Sequence, residues 1–134
     1  MIDAKTTIGS NNVYYFLKKY NIQYRQFALK DDNFLFCTLP NGLTFDILIK
    51  QDEIKLWRFV GTTSVSKAGI QMEYRSQDIP YTVLGFEVTD EGDICFYAKQ
   101  KIDYDDFVRS DISDLIGNYI KIAIDLIASN NVNR

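Results

Sequence analysis

The stretch FLFCTLPNGLTFDILIKQDEIKLWRFV, residues 34–60, decides the fold of this 134-residue chain. From residue 22 to residue 60 the hydrophobic pattern has a period of two, which is typical of β-strands. Two turn signals, Asn41-Gly42 and Gln51-Asp52-Glu53, divide the quoted stretch. A further turn at residues 31–33 adds a strand before it. The sequence therefore predicts a four-stranded antiparallel meander.

Turn lengths predict the register of this meander, because each extra loop residue shifts the pairing by one position. With Asn41-Gly42 as a two-residue type I′ loop, Phe36 pairs with Ile47. With a three-residue turn at 51–53, Ile47 pairs with Trp57. This register predicts one aromatic-rich core face that consists of Phe27, Leu29, Phe34, Phe36, Phe45, Ile47, Ile49, Trp57 and Phe59.

The other face of the same register is apolar as well, around a predicted cross-strand pair of Asp46 and Arg58. An antiparallel sheet commonly buries one face and exposes the other, so a second apolar face needs a cover. Either the helices of the domain or a protein partner supplies that cover, and a homodimer is the expected partner state. The candidate partner-contact residues are Leu35, Cys37, Leu39, Leu48, Leu56 and Val60.

Helices are predicted at both ends of the chain. Ser10, Asn11 and Asn12 are good N-cap residues before a helix that ends near Asn21. A broad apolar stripe with acidic residues before it predicts a long C-terminal helix over residues 104–128 that packs on the sheet.

Between the meander and the last helix, residues 81–100 predict a second hairpin. A three-residue Asp90-Glu91-Gly92 loop pairs Phe86 with Phe96 in it. Residues 62–78 fit either a weak middle helix that Ser64 would cap or a strand. The fold class is α+β, in a single domain over residues 1–134: N-terminal helix, meander, weak middle helix, second hairpin and long C-terminal helix.

Composition excludes several classes of function. The chain has no histidine, which removes Ser-His-Asp and Cys-His catalytic pairs and imidazole metal ligands. A net charge of −3 lacks the positive excess that drives binding to nucleic acid. No glycine-rich phosphate loop or calcium-loop spacing occurs, so we expect no cofactor, no metal and no enzymatic activity.

Two cysteines, Cys37 and Cys95, lie in apolar strand-like runs and are predicted to be reduced core thiols. The first twenty residues lack the apolar region of a signal peptide, and no apolar run approaches the ~20 residues that span a bilayer. These features predict a cytoplasmic protein without membrane contact.

The run YTVLGFEVTDEGDICFYAKQKIDYDDF, residues 81–107, leads into ISDLIGNYIKIAIDLI, residues 112–127. Together with the order of elements, this succession resembles the YbjN-like proteins, whose fold is similar to that of type III secretion chaperones. The resemblance spans nearly the whole chain and rests on patterns of residue type. It implies a protein that binds a protein partner or client, and it carries no catalytic motif.

Two functions are therefore open. The first is a non-enzymatic protein-interaction module, homodimeric, that binds a partner through the sheet face or a sheet edge. The alternative is a small-molecule cup beneath the C-terminal helix, lined by Phe27, Phe36, Phe45, Trp57 and Phe86.

Overall fold

A computed structural model describes residues 4–63, 68–77, 80–103 and 109–129. Its seven strands form one antiparallel sheet in the order β1-β2-β3-β4-β7-β6-β5, with a helix from each end of the chain. The α+β class is confirmed. The elements are α1 Ala4–Lys19, β1 Gln23–Leu29, β2 Asp32–Thr38, β3 Thr44–Ile49, β4 Glu53–Thr62, β5 Gly69–Arg75, β6 Thr82–Val88, β7 Asp93–Lys101 and α2 Arg109–Ser129.

Both helices pack on one face of the sheet, here called the covered face. α1 contributes Val13, Phe16 and Leu17 to the core, as predicted for the N-terminal helix. α2 presents its apolar stripe to the same core, as predicted for the C-terminal helix. The strand residues that complete this core are mainly aliphatic and include Leu35, Cys37, Phe45, Ile47, Ile49, Ile54, Leu56 and Ala98.

The predicted register of β3 is wrong on both sides. Phe36 pairs with Asp46 rather than Ile47, and Ile47 pairs with Leu56 rather than Trp57. Both differences come from loop length. The loop between β2 and β3 has three residues, because Leu39 N donates to Leu43 O and Gly42 N donates to Leu39 O. Gly42 has φ +91°, which places it in the left-handed region that follows such a turn.

The next loop has two residues instead of the predicted three, because Lys50 N donates to Glu53 O. The first loop is one residue longer than predicted and the second is one residue shorter, so the two shifts in register cancel between β2 and β4. These two strands therefore share a face as predicted, and only the side chains of β3 point to the face opposite to the predicted one. Asp46 and Arg58 consequently lie on opposite faces, and the predicted cross-strand pair does not form. The residues of β1, β2 and β4 that were predicted for the core therefore lie on the face that the helices do not cover. Trp57 is one of them and is not a core residue.

The second hairpin has the predicted register, with Phe86 opposite Phe96 and Leu84 opposite Ala98. Its loop shows the same hydrogen bonds as the loop after β2, from Thr89 N to Asp93 O and from Gly92 N to Thr89 O. Gly92 has φ +83°. A three-residue loop that ends in glycine thus occurs twice in the fold.

Residues 69–75 form the edge strand β5, which pairs with β6, so the strand alternative is confirmed there and the weak middle helix is wrong. Every residue of this strand is exposed, so its pairing rather than a buried stripe holds it in place. Ser64 and the helix start at residue 104 lie outside the described residues. α1 spans Ala4–Lys19, so the predicted cap residues lie inside the helix rather than at its start. Ser10 is buried there and accepts a hydrogen bond from Asn33 Nδ2 at 2.9 Å.

α2 is fixed to the centre of the sheet by Tyr119. This side chain is fully buried, and its hydroxyl lies 2.7 Å from the Ala98 carbonyl oxygen on β7 and 3.2 Å from that of Ile54 on β4. Burial raises the pKa of Tyr119, so the hydroxyl keeps its proton and donates. Cys37 and Cys95 are both free and buried. Neither described helix is long and apolar enough to cross a membrane.

Candidate functional site: the open face of the sheet

The side of the sheet opposite the helices carries the most unusual surface of the described chain, and we call it the open face. Strand register assigns its residues, because side chains alternate between faces and cross-strand partners share one. Aromatic and charged side chains dominate it. Its central members are Arg25, Phe27, Phe34, Phe36, Asp46, Leu48, Lys55, Trp57, Phe59 and Tyr97.

Aromatic rings run across the open face from β1 to β4. The ring centroids of Phe27 and Phe34 are 6.0 Å apart, and those of Phe34 and Trp57 are 5.9 Å apart. Phe27 is 43% exposed and Phe59 is 51% exposed. Soluble monomers rarely expose aromatic residues in contiguous patches, so this surface is typical of a binding site.

Two lysines lie over the aromatic rings in the middle of the open face. Lys55 Nζ is 5.5 Å from the Trp57 centroid and 5.1 Å from the Tyr97 centroid, within cation–π range. It also forms an ion pair of 2.8 Å with Glu87. Lys99 Nζ lies 5.2 Å from the Tyr97 centroid. The aromatic surface is thus fixed by charged groups rather than by a hydrophobic cover.

Tyr97 on β7 connects the open face with the edge strand β5. Its hydroxyl donates a hydrogen bond to Glu73, which also lies 3.7 Å from Lys99 Nζ. Burial raises the pKa of Tyr97, and the hydrogen bond to Glu73 raises it further. Tyr97, Glu73 and Lys99 therefore satisfy one another, and this end of the face offers no free charge from that trio.

Asp46 lies between Phe36 and Trp57 in the pairing across β2, β3 and β4. Its carboxylate is partly buried, and burial raises its pKa. Among the described residues it has neither a hydrogen-bond nor an ion-pair partner. A partly buried carboxylate without a cation is unfavourable, so a cationic group placed next to Asp46 would be stabilised there.

The six predicted partner-contact residues do not form one surface. Leu35, Cys37 and Leu56 are fully buried beneath the helices, which supports the expectation that the domain's own helices cover them. Leu39 is buried at the end of β2, and Val60 packs against the core. Leu48 alone lies on the open face. The apolar surface that lacks a cover is instead the one that the register had assigned to the core.

The residues proposed for a ligand cup are also separated. Phe27, Phe36 and Trp57 belong to the open face, whereas Phe45 and Phe86 belong to the covered face. A groove of about 390 Å³ does occur elsewhere, between the end of α1, the loop after β2 and α2. None of the five proposed residues lines it.

Comparison of the chain with models of known protein families, with curated proteins and with solved structures gives no match.

Proposed function

We propose that this chain is a non-enzymatic protein-interaction module whose open face binds a second copy of the same chain. The aromatic open face is the observation that carries the proposal. Phe27, Phe34 and Trp57 form a continuous row of rings that no described helix covers. A second copy is the simplest protein that carries a matching surface, because a two-fold interface needs only one self-complementary patch.

The shape and chemistry of the open face favour a protein over a small ligand. Its accessible rings stand on β1, β2 and β4 and so extend over the width of four strands, whereas small-molecule sites are concave and enclose most of the ligand. Aromatic side chains and arginine at the centre of a patch, with polar groups around it, are typical of protein interfaces. Lys55 and Lys99 are engaged with Glu87 and Glu73, so they offer no free acid or base for chemistry.

The resemblance to YbjN-like and type III secretion chaperone-like proteins supports the same class of function, because it implies binding of a protein. β5 departs from that pattern, since a strand stands where the family pattern has a middle helix. A cytoplasmic location belongs to the proposal as well, and the two free, buried thiols support it.

The size of the surface sets the expected strength of the dimer. Four strands spaced about 4.8 Å apart and about 20 Å long cover roughly 400 Å² of flat sheet in each copy. Roughly 800 Å² in total is below the ~1,200 Å² of a stable interface, so we expect a weak dimer with a dissociation constant of about 10 to 100 µM.

Sedimentation of the purified chain from about 1 to 200 µM tests the proposal, with Trp57 emission recorded over the same range. We expect a monomer-dimer equilibrium and a blue shift of Trp57 emission as the dimer forms. Phe36→Asp should abolish both. Tyr15→Asp is the matched control, because Tyr15 is an exposed aromatic residue on α1, in the helical layer on the other side of the sheet.

A chain that sediments as a monomer throughout, with Trp57 emission independent of concentration, would overturn the proposal. A dimer that Tyr15→Asp disrupts and Phe36→Asp leaves intact would overturn it as well, because the contact would then involve the helical layer.

A further inference from the structure

One row of residues crosses the first four strands on the open face. Arg25 on β1 pairs with Phe36 on β2, Phe36 pairs with Asp46 on β3, and Asp46 pairs with Trp57 on β4. The row therefore places a cation and an anion on either side of one phenylalanine, each one strand away from β2. Their Cα positions are about 10 Å apart, two strand spacings.

Neither charged group is neutralised within the described chain. Arg25 is exposed on the edge strand, and its guanidinium lies 5.7 Å from the ring centroid of Phe27. It has no carboxylate partner among the residues that the structure describes, and the same holds for Asp46 and a cation. The neighbouring Lys55, in contrast, has its ion pair with Glu87. This row of the open face thus presents one unpaired charge of each sign among the described residues.

A two-fold axis that runs along β2, between two facing sheets, brings these charges together. It places β1 of one copy opposite β3 of the other and β2 opposite itself. Arg25 then faces Asp46 of the second copy, twice by symmetry, and Phe36 meets its own equivalent. The adjacent row matches too, because Phe34 meets its own equivalent and Phe27 faces Leu48.

We propose that the open faces of two copies associate about this axis, with two reciprocal ion pairs between Arg25 of each copy and Asp46 of the other. This proposal rests on the proposed function and names the contact that specifies it. Face-to-face sheets pack about 10 Å apart and nearly aligned, so opposed long side chains can meet near the axis while outer strands diverge. Arginine suits the site, since a guanidinium binds a carboxylate and stacks on Phe36 or Trp57 at once.

Charge reversal tests the pairing. In Arg25→Glu, both contacts become carboxylate against carboxylate, and in Asp46→Lys both become cation against cation. Each variant alone should weaken the homodimer about 100-fold. An equimolar mixture should restore a heterodimer within about threefold of the parent affinity, because both contacts again have opposite signs. Circular dichroism verifies that each variant is folded.

Matched controls reverse charges on the other side of the molecule. Lys121→Glu and Asp114→Lys change exposed residues of α2 and should leave dimerisation unchanged. If a charge-reversal variant does not fold, the neutral substitutions Arg25→Gln and Asp46→Asn test the same ion pairs. Each neutral variant should weaken the dimer about 10-fold, and the double variant should be no weaker than either one.

The outcomes separate this inference from the proposed function. If Phe36→Asp breaks the dimer while Arg25→Glu and Asp46→Lys behave like the α2 controls, the ion pairs are wrong and the open-face dimer stands. If both reversals break the dimer and the mixture does not restore it, the pairing is wrong again. A parent that stays monomeric, but whose Trp57 emission responds to an arginine-containing peptide, would overturn both proposals in favour of a different protein partner.

Discussion

The two faces of the sheet are apolar in different ways. The covered face is built from aliphatic side chains such as Leu35, Ile47 and Leu56, which are fully buried under two helices. The open face carries Phe36, Trp57 and their aromatic neighbours, with charged groups among them and no helix of the described chain above them. Hydropathy alone does not distinguish these surfaces. The chemical type of the apolar residue does, because branched aliphatic chains fill a dry interior and aromatic rings tolerate partial exposure.

Leu56 and Leu48 give the largest expected contrast between the faces, because the same residue type stands on each. Leu56→Ala should lower the free energy of unfolding by about 3 kcal/mol, since a fully buried leucine leaves a cavity. Leu48→Ala should lower it by about 1 kcal/mol or less, because Leu48 is only partly buried. Urea denaturation at about 1 µM, where the chain is monomeric on the affinity expected here, measures both. Equal losses would mean that the two faces are packed alike.

A second contrast uses the hydroxyl groups of Tyr119 and Tyr97. Tyr119→Phe removes a buried hydrogen bond to the Ala98 carbonyl and should cost about 1 to 1.5 kcal/mol. Tyr97→Phe removes the bond to Glu73, but Lys99 still neutralises that carboxylate, so the loss should be about 0.5 kcal/mol. The same denaturation series checks the order, and a larger loss for Tyr97→Phe would contradict it.

Replacement of Asp46 should give the smallest change in the free energy of unfolding, and this change should be a stabilisation rather than a loss. Because its pKa in the folded monomer is raised by burial, its contribution to stability is present at low pH and is lost as the pH rises through that pKa. Asp46→Asn should therefore stabilise the monomer slightly at pH 7, by less than about 1 kcal/mol. The difference should shrink as the pH falls below the pKa of Asp46. Urea denaturation at pH 7 and at acidic pH tests this trend, which a destabilised variant at pH 7 would contradict.

The same substitution acts oppositely on the two states of the chain. Asp46→Asn is expected to stabilise the monomer and to weaken the dimer, because the ionised carboxylate is unfavourable when alone and favourable beside Arg25 of a second copy. A residue that served only the fold would move both quantities in one direction. Comparison of monomer stability with dimer affinity thus distinguishes a binding role from a structural one.

Much of the fold could be predicted from local patterns. The order of strands in the meander, both helices and the second hairpin follow from periodicity and turn residues. The sequence mispredicts the loop after β2, because Asn41-Gly42 is the favoured two-residue turn, although Pro40 before it allows a three-residue loop with Gly42 last. Asp90-Glu91-Gly92 has the same design without the competing Asn-Gly signal, so its register was predicted correctly.

The candidate site was harder to predict than the fold. A one-residue change in the pairing of β3 moves Asp46 from one face to the other, so the functional interpretation depended on a loop detail. Trp57 and Phe34 were recognised as sharing a face, yet both faces were apolar enough to serve as the core. Only the position of the helices, a long-range property, shows which face is covered. Local turn chemistry contains no information on that choice.

Tyr119 has a consequence for the order in which the fold can form. The meander and the second hairpin are local structures, but the β4–β7 pairing that joins them connects distant parts of the chain, and such contacts form slowly. The hydroxyl of Tyr119 bridges these two strands and belongs to α2, which the ribosome synthesises after every strand. Before α2 is synthesised, the paired strands β4 and β7 lack the helix that covers them. Strand edges that are still unpaired at this stage can pair wrongly with other chains. Completion of this sheet is therefore expected to follow the synthesis of α2 and to come late in folding.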